Sequence, residues 1–230
     1  MNDFITSSVF FGSFTSLLFY EIGVFCKKKW KISVLNPLLI AVCLTLIMLV
    51  VLGIDYDIYY SGAKYISYLL TPATVCLAIP LYEQFEMLKK NYVAVIAGIT
   101  SGVITSVLMV LVFAVLFNYS HEDYVTFLPK SITTAIGMGV SEQLGGNVSV
   151  TVAVIIITGV FGNIIAEPVC RLFHITEPVA KGVGIGSASH AIGTTKAMEM
   201  GDIEGAMSGL SIAVSGMLTV VAAIIFSYIY

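Results

Sequence analysis

The sequence predicts an all-α integral membrane protein of about eight membrane elements, two or three of them broken or re-entrant. Composition is the first observation: 58% of the 230 residues are hydrophobic and 11% are charged, whereas soluble domains carry about 25% charged residues. The second is that apolar runs of roughly 20 residues, the length that crosses a bilayer core, recur along the chain. We therefore expect a single transmembrane domain, residues 1–230, as a multi-pass protein of the inner or plasma membrane.

Composition and motifs also exclude several function classes. A net charge of −3 without a basic tract gives no surface suited to nucleic acid. The four cysteines are scattered through apolar sequence and predict neither a metal site nor a redox site. The G-x-G-x-G at Gly182, Gly184 and Gly186 follows no strand, so it is a weak nucleotide signal. Because no catalytic motif is present, we expect no enzyme activity, no cofactor and no bound metal.

The first two elements are apolar spans separated by a basic loop. Ile5 to Phe25 is long enough to cross, and Lys27–Lys31 follows with four lysines and a tryptophan. The positive-inside rule places that loop in the cytoplasm and the N-terminus outside. Pro37 then begins a second span, Leu38 to Ile54, which ends at the acidic loop Asp55–Asp57.

The third element, Tyr59 to Lys90, is interrupted by proline. Pro72 lies within Thr71–Thr74 and Pro80 follows, and each proline kinks or opens a helix. Two alternatives stay open. The element crosses as a broken helix, so that Lys89 and Lys90 return the chain to the cytoplasm, or it is a re-entrant hairpin.

The remaining elements alternate between clear spans and glycine-rich stretches. Val93 to Phe117 is a span that ends at the acidic loop Ser120–Asp123. Pro129 to Gly146 carries four glycines and makes a poor lipid-facing helix. Val148 to Val169 is the sixth span, a glycine-rich stretch follows it, and Leu210 to Tyr230 is the last span.

The sequence predicts a weak internal repeat with two halves, residues 1–118 and 119–230. A shift of 114 residues aligns Ser101–Thr105 with Ser215–Thr219, and Ala73–Pro80 with Ser187–Thr194. Duplicated halves whose interrupted helices meet near the midplane are a known transporter plan. Four crossings in each half would make the repeats parallel, and one re-entrant element in each half would make them inverted.

The stretch Lys181–Gly209 is the candidate functional centre. It places a histidine, a lysine and two glutamates among glycines, serines and threonines. Titratable groups at membrane depth are costly and mark interior sites, and glycine permits a break in a helix there. Six residues fall on one helical face by their spacing, which is also what a small-residue packing stripe would show: Gly182, Gly186, Ser189, His190, Gly193 and Ala197.

We expect this centre and the third element to bind a small organic anion, most simply a carboxylate, with His190 coupling uptake to protons. Lys196 lies about 120° around a regular helix from His190, and a bend near Gly193 is needed to bring them together. The expected binding residues are Thr71, Thr74, Ser187, Ser189, His190, Thr194, Thr195 and Lys196. The expected helix breaks are Pro72, Pro80, Gly182, Gly184, Gly186 and Gly193. Secondary candidates are Glu83, Gln84, Thr133, Thr134, Glu142 and Asn163.

Three segments resemble the LrgB/CidB family across nearly the whole chain. They are LTPATVCLAIPLYEQ (70–84), PKSITTAIGMGVSEQLGG (129–146) and GIGSASHAIGTTKAMEMGDIEGAMSGL (184–210). The family is labelled antiholin-like, or a regulator of murein hydrolase activity. Plant relatives form the C-terminal half of the plastidic glycolate/glycerate translocator, and bacterial relatives are linked to pyruvate uptake. The resemblance implies a smaller LrgA/CidA-type membrane protein as partner.

Two functions are compatible with these sequence features. The first is a proton-coupled transporter, or transporter subunit, for small monocarboxylates of the glycolate, glycerate or pyruvate type. The second is an antiholin-like regulator of cell lysis that acts with a holin-like partner. Holin-type action depends on oligomerising apolar helices and needs no titratable site at mid-depth, so the sequence favours transport. We also expect homo-oligomers in the lipid bilayer.

Overall fold

The computed structural model describes residues 8, 10–30, 37–69, 72, 75, 76, 79, 82 and 85–230. All regular structure among these residues is α-helical, and no strand occurs in them, as the sequence predicts. In chain order the helices are α1 Phe11–Trp30, α2 Pro37–Leu52, α3 Tyr56–Ser67, α4 Phe85–Phe117, α5 His121–Phe127, α6 Thr134–Gln143, α7 Val148–Leu172, α8 Pro178–Met200 and α9 Asp202–Ser227.

Three of the helices in the described part of the chain are long and apolar enough to cross a membrane. They are α4 from Lys89 onwards, α7 and α9, with 29, 25 and 26 residues. α2 is also apolar but has only 16 residues. The all-helical class is therefore confirmed, and the three candidate spans support a membrane protein. The expected total of about eight membrane elements stays a prediction.

Helix boundaries differ from those that the charge pattern predicts. The acidic loops expected at Asp55–Asp57 and Ser120–Asp123 each run into the first turn of a helix, α3 and α5. Lys27–Trp30, expected in a loop, forms the last turn of α1, because lysine is a good helix former and its charge suits the negative end of a helix. Lys89 and Lys90, expected to end the third element, lie inside α4. No glycine or proline occurs between Phe85 and Ala97, so nothing interrupts that helix.

Contacts divide the chain into two units, residues 1–76 and 77–230. The boundary differs from that of the two sequence halves, and the repeat stays a prediction. In the first unit α1 packs against α2 and α3 through glycine. A methyl group on Gly23 would lie 2.6 Å from the carbonyl oxygen of Pro37, and one on Gly12 would collide with the backbone of Tyr59 and Ala63. The Ser13 hydroxyl donates to the carbonyl of Gly62 at 2.6 Å.

In the second unit, α8 packs against all three long helices and reverses direction at His190. That residue has φ 42° and ψ −143°, which are not helical angles. Beyond it the chain folds back, because Ile185 of the first arm clusters with Ala197 and Met200 of the second. α8 is therefore a helical hairpin with arms on either side of His190. The six small and polar residues expected on one helical face are all buried, but they belong to two arms instead of one face.

A second hairpin is formed by α5, the turn that follows it, and α6. Thr126 near the end of α5 bonds to the start of α7, with its hydroxyl accepting from the backbone N–H of Asn147 at 2.8 Å. The turn then reaches Ser106 near the middle of α4, where the hydroxyls of Ser131 and Ser106 are 2.9 Å apart. α6 returns to the start of α7. The glycine-rich segment 129–146 thus forms a turn and a 10-residue helix.

The two hairpins enter the second unit from opposite ends. At one end the Tyr124 hydroxyl donates to the carbonyl of Phe226 at 3.0 Å, and the Tyr230 hydroxyl donates to that of Ala114 at 3.1 Å. This end holds the C-termini of α4 and α9 and the base of the α5–α6 hairpin. At the other end Lys181 pairs with Glu204 at 3.7 Å, where α8 and α9 begin. The tip of each hairpin therefore lies between the two ends.

Candidate functional site

The candidate site is built around the tip of the α8 hairpin. His190 is 2% exposed, and its ring Nε2–H donates to the carbonyl of Ile155 at 2.9 Å. The ring lies against Gly159, where a methyl group would come within 2.6 Å of it. Ile155 and Gly159 are in the central part of the 25-residue α7, so the reversal is placed at mid-depth of a candidate span. A positive φ is rare for a residue with a side chain and marks stored strain.

Hydroxyl and amide groups on both sides of the tip compensate for the broken helix. The Thr194 hydroxyl is 2.9 Å from the His190 carbonyl and 2.7 Å from the Ser208 hydroxyl of α9. The Asn163 amide donates to the Ile192 carbonyl at 2.8 Å and to the Thr195 hydroxyl at 2.9 Å. No buried side-chain nitrogen or oxygen lacks a partner within the described ranges. The tip is thus a satisfied polar network in an apolar setting.

Close glycine contacts fix the first arm of α8 among its neighbours. Ser189 lies so near Gly162 of α7 that a methyl group there would collide with its side chain. Ser187 approaches Gly102 of α4, whose added methyl would lie 2.9 Å from the serine hydroxyl. These contacts hold the last residues before the break between α4 and α7. Small residues permit such close approach of helices in a membrane.

The tip of the α5–α6 hairpin lies close to the same region. Ser131 bonds to Ser106, one helical turn along α4 from Gly102. Gly137 of α6 packs against the side chain of Ile155, the residue whose carbonyl accepts from His190. The two hairpin tips therefore meet along shared surfaces of α4 and α7. Thr133 precedes α6 as its N-cap, without a side-chain capping hydrogen bond.

A charged cavity of about 540 Å³ opens at the base of the α8 hairpin. The Lys196 ammonium lies 2.9 Å from Glu167 of α7 and 3.4 Å from Glu199. Arg171 also pairs with Glu167, at 2.5 Å. Next to this cavity a groove of about 200 Å³ between α7 and the first arm reaches from Lys181 to Ser189. Lys196 is therefore an ion-paired residue at the base of the hairpin, because the bend at His190 carries it away from the tip.

The structure brings part of the expected site together. Ser187, Ser189, His190 and Thr194 are buried at the tip of α8, and Asn163 and Thr195 are hydrogen-bonded beside it.

Other expected residues lie away from the tip or outside the described part of the chain. Glu142 is exposed near the end of α6, and Pro72 is exposed and helical. Of the glycines expected to break the helix, none is non-helical in the described residues, and the interruption falls on His190. The positions that lie outside the described residues are Thr71, Thr74, Pro80, Glu83 and Gln84, with Lys31 of the basic loop.

Four contributing residues were not singled out by the sequence: Ser106, Lys130, Ile155 and Ser208. Ser208 follows the glutamates of the centre and could have been found by its helical spacing from Glu204. Lys130 stands in the PKSITT segment, where a lysine beside hydroxyl residues was a usable signal. Ile155 contributes a backbone carbonyl, and no side-chain pattern identifies such a group.

Comparison with known proteins gives the family. The model of the LrgB-like family matches residues 16–229. The chain belongs to the LrgB family. Among its relatives, "Holin-like protein CidB" of Staphylococcus aureus (strain N315) is 35% identical over 219 residues, 95% of each chain. "Antiholin-like protein LrgB" of Bacillus cereus (strain B4264) is 35% identical over 217 residues, 94% of each chain. The Staphylococcus epidermidis (strain ATCC 12228) CidB is 34% identical over 204 residues, 89% of each chain. No solved structure matches.

The resemblance to the LrgB family is therefore confirmed. Two of the three segments that carried it map onto the site: segment 129–146 forms the turn and helix of the α5–α6 hairpin, and segment 184–210 covers most of α8 with the start of α9. The third, segment 70–84, lies mostly outside the described residues.

Proposed function

We propose that this LrgB-family chain is an antiholin-like membrane component that regulates murein hydrolase activity and cell lysis together with a small holin-like membrane protein. The support is the naming of its relatives: at 35% identity over 95% of both chains, the staphylococcal relative is a holin-like protein. The Bacillus cereus relative is an antiholin-like protein at similar coverage. The resemblance to the family implies a partner of the LrgA/CidA type.

This role is tested by lysis measurements on cells that lack the chain. Detergent-induced autolysis, followed as the loss of turbidity, should change in rate when the gene is deleted and return when the chain and its partner are supplied together. Equal lysis rates in the presence and absence of both proteins would contradict the regulatory role.

A second candidate, transport of small monocarboxylates, is favoured by one specific observation. Two helical hairpins from opposite ends of the second unit bring their tips together at mid-depth, and one tip carries the buried His190. Holin-type action depends on oligomerising apolar helices and does not need a buried, polar, titratable site. Discontinuous helices near the midplane are the places where secondary transporters bind substrate, because the breaks expose backbone polar groups in a dry setting. The hydroxyls at the tips are donors that suit a carboxylate.

Uptake of labelled glycolate, glycerate and pyruvate into vesicles tests the second candidate. Vesicles that contain the chain, with and without its LrgA/CidA-type partner, should take up at least one of these acids faster than empty vesicles. Uptake rates equal to those of empty vesicles, for all three acids in both preparations, would contradict transport. The lysis role does not depend on this result, so the two experiments separate the candidates.

A further inference from the structure

Lys130 is a partly buried cation at the tip of the α5–α6 hairpin. It lies in the turn between the two helices, flanked by the buried residues Pro129 and Ser131. Its ammonium group donates to the Ser131 hydroxyl at 3.2 Å, and that hydroxyl is 2.9 Å from Ser106 of α4. Ser106 stands 17 residues after Lys89 and 11 before Phe117 in the candidate span. The charge of Lys130 is therefore held well inside the span.

The positive charge of Lys130 has no carboxylate beside it among the described residues. The ion pairs there engage four other cations, Lys89, Lys181, Lys196 and Arg171. The lysines at the base of the α8 hairpin each have a glutamate within 4 Å, whereas the Lys130 ammonium is bonded to a neutral hydroxyl. A charge at membrane depth is expensive unless it is paired, and its default interpretation is functional.

We propose that Lys130 binds the carboxylate of the solute that passes between the two hairpin tips. The inference rests on the transport function proposed above and names the group that selects anions. Ser131 and Ser106 provide hydroxyls next to the ammonium. Ser187 of the opposing tip lies against Gly102, one helical turn along α4 from Ser106. Hydrogen bonds between ionised partners are about twice as strong as neutral ones. The negative charge of the ligand then balances the positive charge of Lys130.

The same arrangement indicates the class of ligand. One cation surrounded by hydroxyls neutralises one carboxylate, whereas a dicarboxylate would bring a second negative charge that nothing described at these tips balances. Burying an unpaired charge is strongly unfavourable. The site therefore takes a small monocarboxylate and excludes dianions such as succinate.

The test uses the full chain, purified in lipid nanodiscs, and its binding of pyruvate, succinate and uncharged glycerol by calorimetry. Wild type should bind pyruvate and neither of the other two. Lys130→Met should lower the affinity for pyruvate at least about tenfold, the size expected for a hydrogen bond to a charged group. Lys130→Arg should retain part of it. Lys90→Gln, at an exposed lysine of α4, is the matched control and should bind as wild type does.

Thermal melting separates binding from a structural role. Because an unpaired buried charge destabilises the fold, Lys130→Met should melt at the wild-type temperature or above it while losing pyruvate binding. A lysine that serves only the fold would lower the melting temperature instead. Wild-type pyruvate affinity in folded Lys130→Met overturns the inference and leaves transport standing. Failure of wild type to bind pyruvate also overturns the inference, and transport is then decided by the vesicle uptake of glycolate, glycerate and pyruvate.

Discussion

At the scale of single residues, His190 combines strain with a buried hydrogen bond. Its positive φ forces the reversal of α8, and its ring is fixed between Gly159 and the carbonyl of Ile155. Alanine would remove this side-chain hydrogen bond, whereas the side-chain amide of glutamine can still donate an N–H to the carbonyl. The residue therefore shapes the tip of the hairpin, and its role in proton coupling stays a prediction.

We expect His190→Ala to abolish monocarboxylate uptake, and His190→Gln to retain some binding with a weaker dependence on pH. Glutamine keeps the donor but cannot titrate near neutral pH. The measurement is uptake into vesicles across a range of external pH, with a melting curve for each variant to establish that it is folded. Full, pH-dependent uptake by folded His190→Ala would remove the histidine from the mechanism.

The sequence identified His190 but misplaced the lysine that accompanies it. A histidine crowded by hydroxyl residues in an apolar chain is a strong signal, because its burial needs a reason. Lys196 was grouped with it on the assumption of a bend near Gly193, yet the reversal at His190 sends Lys196 to Glu167. Whether Lys196 lies near the tip or at the base depends on the direction of the chain after the break. Spacing along the sequence does not contain that information.

At the scale of elements, the glycines of α8 differ in what surrounds them. A methyl group on Gly186 would collide with the carbonyl oxygen of Ser208 and come within 2.8 Å of its Cα, whereas nothing lies within 4 Å of one on Gly184. Both are helical residues of the first arm. Gly186 is therefore needed for the close packing of α8 on α9, whereas Gly184 is not.

Gly186→Ala should therefore destabilise the protein by about 1–3 kcal/mol, the usual cost of overpacking against a backbone that cannot yield. Gly184→Ala should be neutral or stabilise by up to about 1 kcal/mol, since alanine is the better helix former. Thermal or denaturant unfolding of both variants in the same detergent measures this. Equal effects of the two substitutions would show that α8 is not packed on α9 as described.

Much of the element structure could be predicted from patterns of apolar and breaking residues. The spans corresponding to α4, α7 and α9 follow from long apolar runs, and the glycine-rich stretch predicted a broken helix. The reversal itself could not be predicted, because glycine and proline show where a helix can open but not how far the chain turns. The pair Lys89 and Lys90 predicts a helix end, but charge alone does not end a helix, and α4 continues through both residues.

At the scale of the whole molecule, lysine and arginine are distributed unequally between the ends of the second unit. The end where α8 begins carries Arg171, Lys181 and Lys196. The opposite end carries Glu122 and Asp123 at the start of α5, and the loop Asn118–Ser120 has no lysine or arginine. The positive-inside rule counts lysine and arginine, so we expect the end with Arg171, Lys181 and Lys196 to face the cytoplasm and the opposite end to face outside.

This orientation predicts the result of labelling single cysteines in a background without the native four. A cysteine at His121 should react with an impermeant thiol reagent added to intact cells, and one at Phe173 should react only after permeabilisation. A cysteine within Lys27–Trp30 should behave like the latter, which keeps the N-terminus outside. Ready labelling of Phe173→Cys or of the basic segment from outside would reverse that assignment.

The measurement that tests the central claim most directly is a cross-link across the base of the α8 hairpin. Ile175 and Met200 line the same cavity, although an unbroken helix from Pro178 to Met200 would separate its ends by about 33 Å. With cysteines at these two positions, a short bifunctional maleimide should join them within one chain, as mass spectrometry of the linked peptides would show. Cysteines at Ile175 and Tyr228, at opposite ends of the second unit, should not be joined. Absence of the Ile175–Met200 link, with both cysteines reactive, would contradict a hairpin with His190 at its tip.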